Sequence, residues 1–412
     1  MFSTQSKPGS IGFRLLTISL LSCSATVALA QSAPASTAIR IGVIAPLTGP
    51  SADFGVPMLN GVKLAVEEIN ASGGYLGRKF ELLVRNDEAT PDKGRKASDD
   101  LISQKIVAAI GFCNTGVAAQ SLEVFQSHKI PLIIPCATGT QLTATYPAPE
   151  SYIFRTSAKD SIQATFVVDD IVKRGWTKVA VFADSTAYGE SGLQDVIAAL
   201  AQYKLTPVHV TRFPIGTKDM TANLKAAHDA GANVVFSYSL GPESVAIAQG
   251  RKELGWKVPQ VGPWSLSFPA YVNEAKDAGE NTLMAQTFIV EQRGNERRGN
   301  FLRNYMLKYN LKGGVPAAIP AAQAYDSTYL LLYSLFGVKS AVPDGQAIKE
   351  SLENLPRPYY GAVATYDNPF SAKDKDAFTS NMLLMGEVKE GVVTYAYPAD
   401  IKRNLFVQRK KP

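Results

Sequence analysis

Histidine is scarce in this chain, with three in 412 residues, and His128, His209 and His228 each stand alone. None has the short spacing to cysteine or carboxylate with which protein ligands close on a metal, so neither a metal nor any other cofactor is expected. Equally absent are the Gly-x-Ser-x-Gly turn of serine hydrolases, the phosphate-cradling GxxxxGK[ST] loop, HExxH and GxGxxG. With no nucleophile–base pairing in view, an enzyme is not expected. Charge is thin as well: 19% of residues are charged and the formal net charge is +6, with Lys and Arg scattered along the chain. Nucleic-acid binding needs those cations gathered on one element, so no nucleic-acid partner is expected. The nearest basic run, Arg403 with Arg409, Lys410 and Lys411, reads as a solvated tail. Past residue 30 no stretch approaches eighteen unbroken apolar residues, so no spanning helix is expected there.

The first thirty residues are built differently. Lys7 and Arg14 form a positive start, 15–27 is an apolar run too short to span a bilayer, and Ala28-Leu29-Ala30 offers small residues for cleavage before Gln31. The expectation is an exported, periplasmic chain after loss of 1–30, with 31–38 a small-residue linker. A competing reading takes Cys23 as a lipidated cysteine, which would leave 25–30 as an uncleaved apolar stretch. Cleavage after Ala30 leaves two cysteines, Cys113 and Cys136, and in an oxidising compartment such a pair is either a disulfide or a pair of free thiols.

From Ile39 onward strand-like and helix-like periods alternate. Strands are expected at 39–45, 80–84, 107–111 and 132–134, with helices at 57–71, 92–104 and 117–127 between them. After 153–156 the rhythm restarts: helices at 161–174, 191–202, 220–229 and 243–254 interleave with strands at 178–183, 206–213 and 233–239. Near-continuous apolar strands separated by helices mean parallel sheets covered on both faces. The tail continues with a strand at 283–288, helices at 299–309, 321–336 and 345–354, and short strands at 363–366, 383–388 and 392–397. The fold class is therefore α/β, with two doubly wound Rossmann-like lobes joined by a three-strand hinge. Lobe 1 is expected to hold 39–156 plus 288–364, and lobe 2 to hold 157–287 plus 365–412, so the chain passes between lobes three times. Ligands of such sheets bind outside the carboxyl ends of the strands, which here places them between the lobes.

Two turns at those ends carry the chemistry. Phe112-Cys113-Asn114-Thr115-Gly116 follows one strand and Pro135-Cys136-Ala137-Thr138-Gly139-Thr140 the next. Small and hydroxyl-bearing, they could hold one carboxylate between them at a helix N-terminus. Plain helix capping would explain the same residues. Their placement after neighbouring strands also brings Cys113 and Cys136 within disulfide range.

IRIGVIAPLTGPSADFG (39–55) and GVKLAVEEINASGGYLGRKFELLVRNDEATPD (61–92) resemble the opening of the leucine/isoleucine/valine-binding family, the periplasmic receptors of branched-chain amino acid ABC transporters. The likeness continues through IPCATGTQLT (134–143), FADSTAYGESG (182–192) and YDSTYLLL (325–332), in family order over nearly the whole chain beyond residue 38. It implies a type I periplasmic binding protein fold, a monomer, a small carboxylate ligand, and a membrane permease as partner. A sensor of the same fold docking on a receptor kinase is the alternative. The family's carboxylate cradle maps onto Asn114, Thr115, Cys136 by its backbone, Ala137 and Thr138, and its second-lobe tyrosine onto Tyr188. The family's usual bridge would run from Cys113 to residue 90, and Thr90 cannot form it.

Two positions depart from the pattern. Amino-acid-specific members carry a Glu after Gly-Pro to pair with the ligand's ammonium, where this chain has Gly262-Pro263-Trp264; an aromatic hydroxyl after the TGP turn is replaced by Phe54. A buried ammonium without its carboxylate is costly. Trp264, Phe54, Tyr188 and Tyr238 would instead line an aromatic slot suited to a benzoate- or phenylacetate-like acid. Alternatively Trp264 is ordinary core and Asp184 or Glu243 supplies the charge for an amino acid.

Overall fold

The computed structural model describes residues 38–290, 296–339, 343–403, 405–407 and 409–410. The expected leader, with Cys23, and the linker up to Thr37 lie outside the described residues.

The first lobe starts as a run of β–α units: β1 (Ile39–Ala45), α1 (Ala52–Ala71), β2 (Phe80–Asn86), α2 (Pro91–Ser103), β3 (Ala108–Gly111), α3 (Thr115–Ser127), β4 (Leu132–Ile134) and β5 (Ile153–Arg155). These strands form a parallel sheet in the order β2-β1-β3-β4-β5. The expected helix start at Pro57 is corrected to Ala52. Proline suits a first turn but is tolerated one turn further in, and Ser51, Ala52 and Asp53 form the actual opening turn.

The second lobe follows with α4 (Asp160–Lys173), β6 (Val179–Asp184), α5 (Ala187–Gln202), β7 (His209–Phe213), α6 (Thr221–Asp229), β8 (Val234–Tyr238), α7 (Gly241–Glu253), β9 (Gln260–Gly262), α8 (Pro269–Ala275) and β10 (Leu283–Gln286). The chain returns to the first lobe for α9 (Glu296–Lys308), α10 (Ala318–Leu335), α11 (Gly345–Glu353), β11 (Tyr359–Tyr360) and β12 (Thr365–Tyr366). It then crosses again to lay β13 (Leu384–Lys389) antiparallel to β10 and β14 (Val392–Tyr395) antiparallel to β13. The second sheet thus runs β14-β13-β10-β9-β8-β6-β7. Finally β15 (Phe406–Val407) pairs parallel with β12, which completes a small sheet β11-β12-β15.

The tail therefore corrects two expectations. Residues 365–378 stay with the first lobe: Tyr366, Phe370, Ala377 and Phe378 share a core with Phe154 and Tyr359, and Asp376 pairs with the fully buried Arg155. With β15 returning as well, the described chain passes between the lobes four times, not three. Apolar burial decides this, because two-residue strands such as β12 and β15 carry no readable period.

Candidate functional site

Where β3 and β4 end, two turns face the second lobe. Asn114 precedes α3 in an extended conformation, and its side chain caps nothing: Nδ2 donates to Ser51 Oγ at 3.2 Å, while Oδ1 is buried without a partner. No side-chain cap therefore occupies the first-turn N–H groups of α3, and Gly116 and Val117 of that turn line the cavity. The two turns are tied together, since Thr115 Oγ1 accepts from the Gly139 N–H at 3.2 Å. Any Cβ at residue 139 would lie 2.2 Å from Thr115 Cγ2, so the approach needs glycine. Cys113 and Cys136 form a disulfide across the same edge, their Cα atoms 4.6 Å apart. The pair left open by the sequence is a bridge, and capping alone does not account for Asn114.

The facing wall comes from the N-terminal ends of α5, α7 and α8. Thr186 caps α5 by accepting from the N–H groups of Tyr188 and Gly189, and is itself held by Asp184. That places Tyr188 at the cavity, its hydroxyl donating to Ser265 Oγ at 3.2 Å. Burial, with Asp160 and Asp184 nearby, pushes the Tyr188 phenol well above its ordinary range, so it stays a neutral donor. The lobes meet where Phe54 stacks on Phe268 with ring centres 5.0 Å apart, and Trp264 meets Phe268 edge-on at 5.0 Å. They border a cavity of about 670 Å³ between the lobes.

No Lys, Arg or His lines this cavity among the described residues; its ionisable groups are Asp53, Glu243 and Tyr188. Glu243 Oε1 accepts from the Gly216 N–H at 2.6 Å. Burial raises the Asp53 carboxyl to about 6, against the pull of the backbone N–H groups of Ala270, Phe54 and Asp53 itself. Such a cavity can hold a carboxylate on neutral donors and an apolar body against aromatic faces. Among the described residues no three His, Cys, Asp or Glu side chains gather as metal ligands.

Of the residues expected at the site, Phe54, Asn114, Thr115, Cys136, Thr138, Tyr188 and Trp264 line the cavity, and Ala137 and Tyr238 do not. Ala137 packs into the core on the sheet's other face, because neighbouring residues of an extended turn point to opposite sides. Tyr238 lies beneath Tyr188 with ring centres 5.1 Å apart, fully buried, under a helix that passes close only because residue 192 is glycine. Asp184 is buried behind Thr186 and does not reach the lining, whereas Glu243 does. Sequence reasoning missed Ser51, Asp53, Ser265 and Phe268. Asp53 and Phe268 had signals available: one adjoins Phe54 in the opening turn of α1, the other follows Trp264 at a spacing of four.

A family model described as periplasmic binding protein matches residues 38–391. Leu/Ile/Val-binding protein homolog 3 of Brucella melitensis is 34% identical over 256 residues, 62% of this chain and 68% of its own length. The Leu/Ile/Val-binding protein BraC3 of Rhizobium johnstonii is 30% identical over 270 residues, 65% of this chain and 72% of its own. Among solved structures, a substrate-binding protein of a branched-chain amino acid transporter from Streptococcus pneumoniae, in complex with isoleucine, superposes with a TM-score of 0.74 at 22% identity, covering 86% of this chain and 97% of its own. A solute-binding protein of an ABC transporter from R. palustris, in complex with benzoate, gives a TM-score of 0.75 at 19% identity, covering 87% and 95%. At such identities the structural likeness speaks to the fold alone.

Proposed function

The chain belongs to the periplasmic binding protein family, and from that premise we propose that it is the extracytoplasmic receptor of an ABC uptake transporter, capturing a small monocarboxylate with an aromatic or apolar body. One observation supports this above the rest: an uncapped helix N-terminus with Asn114, Thr115 and Thr138 beside it faces a wall of Tyr188, Trp264 and Phe268 across a cleft. The carboxylate would rest on the first-lobe hydroxyls and N–H groups, the body against the aromatic rings. That the R. palustris relative of this fold holds benzoate is in keeping with such a ligand.

A branched-chain amino acid is the second reading. The names of the Brucella and Rhizobium relatives favour it, as do the two acids in the lining, Asp53 and Glu243. The partner in either case is a membrane permease, and the site of action is the periplasm. Isothermal titration of benzoate, phenylacetate, leucine and valine tests the ligand class. The expected result is binding of an aromatic acid. Binding of leucine or valine with no aromatic acid would replace the first reading with the second.

A further inference from the structure

Asp53 lines the cavity, and the aromatic-acid reading above leaves it without a role. It stands in the first turn of α1, and the Ala270 N–H of α8 faces its carboxylate from the other lobe. Even so, Oδ1 is buried without a hydrogen-bond partner. Nothing in the lining neutralises it, because the cavity has no cation among the described residues. Glu243, the other lining carboxylate, has Oε1 engaged by Gly216, whereas Asp53 presents an open acceptor. A buried acceptor of this kind is costly until a donor meets it, and one that lines a binding cavity can meet its donor on the ligand.

We infer that Asp53 is a specificity-determining residue, and that the preferred ligand carries a hydrogen-bond donor on its body, a hydroxyl or an ammonium, in addition to its carboxylate. The inference rests on the carboxylate-in-cleft reading and narrows it. A site built to receive a donor discriminates strongly against the analogue that lacks one, because the analogue leaves the acceptor buried and bare. Hydroxyl and ammonium share the chemistry that Asp53 recognises, and charge separates them. An ammonium needs the anion, whereas a hydroxyl needs only the oxygen.

The test uses matched ligand pairs differing in the donor alone: benzoate against 3- and 4-hydroxybenzoate, and 4-methylpentanoate against leucine. Isothermal titration measures each on the wild type and on Asp53→Leu and Asp53→Asn, with circular dichroism melts confirming that the variants fold. In the wild type the donor-bearing member of at least one pair should bind tenfold or more tightly than its partner, and Asp53→Leu should close that gap to within about twofold. Asp53→Asn, which keeps an oxygen and loses the charge, should close an ammonium gap and preserve most of a hydroxyl gap. If Asp53 only latches the lobes through Ala270, Asp53→Leu weakens both members of a pair equally and the gap survives, which overturns the inference. A wild type that binds both members alike overturns it too, while leaving the carboxylate reading intact. Binding of neither pair overturns both.

Discussion

The turn after β4 and the start of α4 are joined where the Asp160 N–H donates to the Thr138 carbonyl at 2.9 Å, yet the two side chains have opposite tasks. Thr138 lines the cavity, and a charge-assisted bond from its hydroxyl to a ligand carboxylate is worth about 1.5–3 kcal/mol. Thr138→Val should therefore weaken carboxylate binding roughly tenfold or more by titration calorimetry, with little change in melting temperature. Asp160 is fully buried behind it. Burial raises this carboxyl to about 7; the hydroxyls of Thr138 and Tyr238 and the charge of Arg155 pull it down, and Asp195 pushes it up. The folded chain thus holds this proton more tightly than the unfolded one. The resulting stability is complete below about pH 4 and is lost as pH rises through 7. Asp160→Asn should melt above the wild type at pH 8, by up to roughly 4 kcal/mol, and the gap should shrink steadily towards pH 4. A gap independent of pH would refute the assignment. Phe54, Tyr188 and Trp264 were legible in the sequence because they sit inside motifs. Asp160 was not, because burial against residues distant in the chain leaves no trace in spacing.

At the scale of elements, α10 ties the first lobe together at two points along its length. Gly61 of α1 meets its backbone so closely that a Cβ would fall 2.1 Å from the Ala321 carbonyl oxygen. Gly61→Ala should cost on the order of 2 kcal/mol in urea melts, as overpacking does. Further along, the buried Asp326 carboxylate accepts from the N–H groups of Ala362 and Val363 and from the hydroxyls of Tyr359 and Tyr366. Asp326→Ala strands four buried donors and should cost about 3 kcal/mol or more by the same measurement. The long helices and apolar strands behind this packing were readable from period alone. The three-residue β9 and the seven-residue α8 were not, since neither completes enough repeats to show one, and α8 brings Phe268 and Ala270 to the site.

On the whole-molecule scale, the first passage between the lobes starts from Arg155, which ends β5 and is completely buried. It donates to Asp376, to the carbonyls of Thr138 and Gly139, and to the Thr143 hydroxyl. Burial alone would raise the Asp376 carboxyl, but Arg155 and Lys159 hold it below its ordinary value. Because Arg155 bonds to the Thr138 carbonyl, the carboxylate cradle is tied to the strand end from which the chain leaves the first lobe, and lobe closure should follow ligand binding. Small-angle scattering should show the radius of gyration falling on ligand addition; no change at saturation would count against hinge closure. Two lobes could be inferred from the restart after residue 156, whereas the fourth passage could not, because β15 has only two residues. That short strand has a consequence for biogenesis. The first lobe begins with Ile39 and receives its last strand at Val407, so it cannot be finished while the rest of the chain is still being made. The second lobe has its whole parallel sheet by Gln286 and can form earlier, so cutting the chain after Tyr395 should loosen the first-made lobe and spare the later one.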